Sequence, residues 1–299
     1  MEKKTFAAML FAAAFTLTAC TNDDIPAQDN RVALQVTSGI QSRAYDNQWE
    51  AGDRIGIYAF TEGTTTVADG YANIPYITQT SGADGTFAPD GTTIYLPTNG
   101  DARNIVAYYP YKQLSSDEYK VDVTDQSLQK DIDLMAASTQ TADRTDPTVE
   151  FSFVHKLSKV EITLKPGSGM TDDDLEGLTV ALTGQQTVGT FDVTQPASEV
   201  TVTTGTATPI TLLTNAEGSF AEGIVLPSVD YSGMSLEITL ADGVSVFTWP
   251  LSNATESQKF EAGKKYLYTI NVNKAEISVT ATITDWEPGN NGGESGYAE

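Results

Sequence analysis

The chain has 299 residues, one cysteine, one histidine and a net charge of −23 from 17 Lys+Arg against 40 Asp+Glu. A charge of that sign excludes a nucleic-acid partner held through its phosphates. Cys20 alone excludes an internal disulfide framework and a cysteine-based metal cluster, and His155 alone excludes the His-pair zinc motifs.

With 41 Thr and 24 Gly, and few Leu/Glu/Lys runs, the composition favours short pleated strands joined by turns over helices. At roughly 100–200 residues per domain the length predicts two domains.

Lys3 and Lys4 precede an apolar run from Phe6 to Leu17. That run is about twelve residues, short of the roughly 20 a membrane helix needs, so residues 1–19 read as a signal peptide. It ends in Leu17-Thr18-Ala19-Cys20, which resembles the bacterial lipobox, where the cysteine thiol is acylated (palmitate-type chains) before cleavage. Cys20 is therefore the expected lipidation site. A diacylglyceryl group plus an N-acyl chain supplies the two signals that stable anchoring requires. Asp23 and Asp24 follow closely, as in lipoproteins sent to the outside of the outer membrane. The expected location is the cell surface, with the lipid in the outer membrane.

Residues 20–31 are polar and read as a tether. Then Val32, Leu34, Val36 and Ile40 fall on one parity, with Ser38 between them, against Ala33, Gln35, Thr37 and Gln41 on the other. This is period two, a strand with one buried face. Residues 32–43 extended would reach about 40 Å. Burial of the four large apolar side chains would contribute roughly 6–12 kcal/mol, comparable to the net stability of a domain. The segment is expected at a sheet edge, from which it could be removed.

Further strands follow at short spacing, among them Arg54–Phe60, Asn104–Tyr109 and Tyr119–Val123, separated by Gly, Asp, Asn and Pro. Val149–Leu164 is long enough to pass from one half into the next. The expected domains are 32–155 and 156–286, each an antiparallel β-sandwich. Residues 287–299 read as a flexible tail. Leu128–Ala137 and Asp172–Gly177 are the expected helical turns.

No catalytic, cofactor or metal site is expected. His155 lacks a G-x-S-x-G partner motif and reads as a packing histidine. Asp172-Asp173-Asp174 lacks alternating calcium-ligand spacing and reads as a helix start or charged loop. Tyr108, Tyr109, Tyr111 and Trp49 could stack on a sugar, but strand aromatics at such spacing more often fill a core.

An ordered set of phrases spans nearly the whole chain. It comprises the lipobox, Ser38-Gly39-Ile40-Gln41-Ser42-Arg43-Ala44, Trp49-Glu50-Ala51-Gly52-Asp53-Arg54-Ile55-Gly56-Ile57-Tyr58, Ala107-Tyr108-Tyr109-Pro110-Tyr111, Phe153-Val154-His155-Lys156-Leu157-Ser158-Lys159-Val160, Phe260-Glu261-Ala262-Gly263-Lys264-Lys265-Tyr266 and Ile283-Thr284-Asp285-Trp286. Together they resemble the fimbrillin family of the Bacteroidales, in particular its Mfa-like branch.

The resemblance implies two tandem transthyretin-like sandwiches and a lipoprotein precursor of a fimbrium (pilus). It also implies an arginine-specific protease that cuts between Arg43 and Ala44. Val32, Leu34, Val36 and Ile40 would then be displaced, and a strand from a neighbouring fimbrial subunit would take their groove. Arg31 is an alternative cut site, which would free the lipid but open no groove.

After Trp286 the sequence turns polar and Gly-rich, so a donor strand would have to be Ile277, Val279, Ala281 and Ile283, detached from their own sheet. That leaves room for a tip or accessory role and for a host or microbial surface receptor. The rival reading is a glycan-binding surface lipoprotein of a polysaccharide-uptake system.

Overall fold

The computed structural model describes residues 30–40, 48–255, 258–274, 277–285 and 294–298. Short strands dominate, as the alternation and the breakers between segments require. Among the described residues helix is confined to single turns of 3-10 type at Gln129–Asp131, Asp172–Leu175 and Leu251–Asn253. The expected turn over Leu128–Ala137 is thus mostly wrong: Met135–Ala142 is a strand, whose Met135, Ala136 and Ala137 are buried between neighbours.

Seven strands of the first half close into a barrel. In order around it they are Thr148–His155, Gln35–Ile40, Asp84–Pro89, Ile74–Thr78, Arg54–Thr61, Arg103–Tyr109 and Met135–Ala142, which returns to Thr148–His155. The sequence led us to expect a two-layer sandwich here. Closure arises because the first strand joins what would be the two edges of an open sheet.

The strands opposite it are buried on both faces. In Arg54–Thr61, Ile55, Ile57 and Ala59 line the barrel interior, while Tyr58 and Phe60 enter a second core. Arg103–Tyr109 divides in the same way, with Ile105, Ala107 and Tyr109 inward and Val106 and Tyr108 outward.

That second core is shared with the other half of the chain. It includes Val160, Ile162 and Leu164 of Ser158–Pro166, Tyr266, Tyr268 and Ile270 of Lys264–Val272, and Val180 and Leu182 of Thr179–Thr183. These belong to a six-stranded sheet and a four-stranded sheet. A three-stranded sheet links the halves directly, since Glu118–Asp122 pairs with Val188–Asp192.

Among the described residues most pairings are antiparallel, but two run parallel, and their placement reveals a repeated plan. Ser158–Pro166 lies between Phe220–Val225, antiparallel, and Lys264–Val272, parallel. Gln35–Ile40 lies likewise between Asp84–Pro89, antiparallel, and Thr148–His155, parallel. The first strand of each half therefore occupies an equivalent place, but one of them is continuous with the preceding domain and the other follows the N-terminal segment.

Two further expectations are corrected. The first strand is not a sheet edge, because it is paired on both sides. Within the segment read as a tail, Glu294–Ala298 pairs antiparallel with Ile277–Asp285, from Ile277 against Ala298 to Ala281 against Glu294. Backbone pairing requires no apolar side chains, which is why the polar composition hid this strand.

Candidate functional site

The groove occupied by the first strand is the candidate site that the sequence singled out. Leu34 and Val36 are buried at 4% and 2% exposure, Ser38 at 3%, and Gln35 between them faces solvent. At Leu34, Val36 and Ser38 the buried parity is the one read from the sequence. Val32 is only half-buried and pairs with Leu96 in a separate two-stranded ladder. The backbone of Ile40 pairs with Phe153. Cys20, Arg43 and Ala44 lie outside the described residues.

Two inward positions of this strand have a partner on either side. Val36 stands between Val149 and Phe87, and Ser38 stands between Phe151 and Gly85. The backbone is tied at the strand's entrance, where the Leu34 N–H donates to the Ile94 carbonyl and the Gln35 N–H to the Pro147 carbonyl, each at 2.9 Å. The Thr37 hydroxyl donates to the Val149 carbonyl at 3.3 Å. Burial of Leu34 and Val36 contributes about 3–6 kcal/mol, so the strand is firmly seated while it remains part of the chain.

The floor of the groove is aromatic. Trp49 meets Phe87, Tyr109 and Phe153 edge-on, with ring centroids at 5.0, 5.3 and 5.4 Å. Phe151 and Phe153 meet at 6.0 Å. Trp49 is fixed by a reciprocal backbone pair with Gly82, at 2.8 and 3.0 Å. Gly85 is a glycine because the indole covers it: a Cβ there would lie 2.8 Å from Trp49 Cδ1 and 2.7 Å from Phe87 Cε2. Nothing in the spacing of the sequence announced this Trp49–Gly85 contact, since the two come together only when the barrel forms.

At the rim, Asp53 accepts the Glu50 N–H at 2.8 Å and the Tyr109 hydroxyl at 3.3 Å. Burial pushes its carboxyl above the usual aspartate value despite those bonds.

The remaining candidates have structural roles. His155 is buried with Nδ1 2.7 Å from Asp133 Oδ1, and its strand packs in the barrel wall. Asp174 accepts the Thr171 N–H and hydroxyl at 2.8 and 2.9 Å, starting a helical turn as read. Tyr108, Tyr109 and Trp49 are buried, and Tyr108 lies in a different core from the other two, so they form no sugar-stacking face. An open acidic cavity of about 490 Å³ carries Asp117, Glu118, Asp192 and Glu199. Among the described residues no three His, Cys, Asp or Glu side chains are placed to hold a metal.

Ile277, Val279, Ala281 and Ile283 lie on one strand whose backbone is paired with Lys264–Val272 on one side and Glu294–Ala298 on the other. It is an interior strand of its sheet.

A barrel closed by its first strand, with its aromatics committed to packing, defines an all-β fold. The chain belongs to the fimbrillin-like family, whose model matches residues 42–286. It is 48% identical over 280 residues to a Bacteroides uniformis protein named "Putative fimbrium subunit Fim1C", covering 91% of this chain and 90% of that one.

Among solved structures, a "putative cell adhesion protein" from Bacteroides uniformis superposes with a TM-score of 0.78 at 44% identity, covering 87% of this chain and 99% of the other. A second, from Bacteroides ovatus, shares the fold with a TM-score of 0.68 at 24% identity over 87% of this chain and 99% of that one. The family places the chain among fimbrial proteins of the cell surface.

Proposed function

We propose that this chain is a strand-accepting fimbrial subunit or adhesin, exported as a lipoprotein acylated at Cys20 and matured by an arginine-specific protease that cuts between Arg43 and Ala44. The observation that carries this reading is the place of the first strand. Removal of Gln35–Ile40 turns the closed barrel into an open six-stranded sheet, whose edges are Asp84–Pro89 and Thr148–His155. Both edges would expose unpaired N–H and C=O groups above an aromatic floor, which is the requirement for β-augmentation by a strand of matching parity.

The equivalent strand of the second half, Ser158–Pro166, cannot leave without breaking the chain between the domains. Only the N-terminal groove is open to exchange. The cut at Arg31 remains the weaker choice, because it would leave Val32–Ile40 in place; Arg31 itself is exposed, with its guanidinium 4.1 Å above the Tyr95 ring.

Donation by Ile277, Val279, Ala281 and Ile283 would require Ile277–Asp285 to separate from both neighbours. The chain is therefore read as an acceptor at a tip or accessory position, with other fimbrial subunits, the outer membrane and a surface receptor as its partners. Replacement of Arg43 by Ala tests the reading: the expected product is exported, lipidated, unpolymerised monomer. Normal polymers from that variant would refute it.

A further inference from the structure

The first strand fits its groove imperfectly at one register. Ser38 is 3% exposed, and its hydroxyl has no hydrogen-bond partner, although it sits at an inward position between Phe151 and Gly85. The neighbouring inward residues, Leu34 and Val36, are apolar and buried. Trp49, whose indole covers Gly85 on the far side of that register, also has its N–H buried without a partner. The groove around position 38 is thus built from aromatic surface and receives a polar group that it does not satisfy.

We propose that Ser38 is the weak register of the resident strand, and that the groove selects a replacement strand carrying an apolar residue at that position. The inference rests on the strand-exchange reading above for its consequence, but not for its structural premise. A buried hydroxyl without a partner loses its hydration and gains nothing in return, whereas an alanine there buries no polar atom and adds no bulk beside Trp49. The resident strand is held strongly enough at Leu34 and Val36 to fold the precursor. At position 38 it concedes an advantage to an incoming strand. The replacement runs parallel to Thr148–His155 and antiparallel to Asp84–Pro89, so that its inward residues fall on the registers of Leu34, Val36 and Ser38.

Two measurements on the full chain test this. First, Ser38→Ala in the uncleaved protein is compared with the native protein by urea denaturation; a higher midpoint is expected. An unchanged or lower midpoint would overturn the proposal, because the hydroxyl would then be satisfied in solution. Second, the full chain is cut at Arg43 by limited arginine-specific proteolysis and offered labelled peptides of residues 32–43 with Ser or Ala at position 38.

The alanine peptide is expected to bind roughly 5- to 100-fold more tightly, the factor corresponding to one unsatisfied buried hydroxyl. Equal binding, or tighter binding of the serine peptide, would overturn the selection. If the midpoint rises but neither peptide exchanges, the weak register stands; the strand-exchange reading fails, and the selection of a donor fails with it.

Discussion

Trp49 lies so close over Gly85 that a side chain at position 85 would meet its indole at 2.8 Å. The contact locks the residue that follows the expected cleavage segment onto the floor of the groove. Gly85→Ala is therefore expected to destabilise the protein by about 1–3 kcal/mol, the usual result of forcing an extra methyl into a packed core. Urea denaturation checks the magnitude. A shift in tryptophan fluorescence should accompany it, because the indole must move to make room.

Leu34 anchors the first strand at its entrance. Leu34→Ala is expected to lower stability by about 2–5 kcal/mol, while Gln35→Ala, one residue on and facing solvent, should stay within about 0.5 kcal/mol. Hydrogen exchange of the Gln35–Ile40 amides should quicken in the first variant and not in the second. Equal effects would mean that the strand's inward face is not what holds it.

A partly buried ion network joins three neighbouring strands of the six-stranded sheet. Lys159 is 3% exposed and lies 2.9 Å from Glu222 and 3.7 Å from Glu161, which also meets Lys265 at 3.2 Å. Lys159→Met should cost about 3 kcal/mol, because it leaves the partly buried Glu222 carboxylate without its cation. Lys130, paired with Glu50 at 3.0 Å but largely exposed, should cost less than about 1 kcal/mol on the same replacement. Added salt should erase the smaller effect before the larger one.

Asp53 provides a test by pH. Burial raises its carboxyl above the ordinary value of 3.8. A carboxyl with a raised folded pKa binds more protons folded than unfolded. It therefore opposes folding most fully above that pKa, and the opposition fades as pH falls toward the unfolded value. Asp53→Asn removes this titration. The stability of the variant relative to the native protein should be more favourable at pH 7 than at pH 4, as read from denaturation midpoints at the two pH values. No change with pH would contradict the raised pKa.

The first strand was legible in the sequence because Leu34 and Val36 alternate with the polar Gln35 and Thr37, and one buried face leaves that signature. Its neighbours were not. The bond from Thr37 to Val149 spans 112 residues, and nothing local to either segment encodes parallel pairing at that distance. The closure of the barrel and the interior position of the strand were hidden for the same reason. Met135–Ala142 misled because Met and Ala favour helices in isolation, and burial on both faces overrides that preference. Trp49, Tyr108 and Tyr109 could be read either as a sugar platform or as core; only the fold distributes them between two cores.

The central claim is that the first strand is cut away and its groove refilled. Intact-mass analysis of the subunit within assembled surface polymers tests it most directly. The account predicts a chain that begins at Ala44, with no lipid and no first strand. Polymerised subunits that still begin at an acylated Cys20, with residues 32–43 attached, would contradict it.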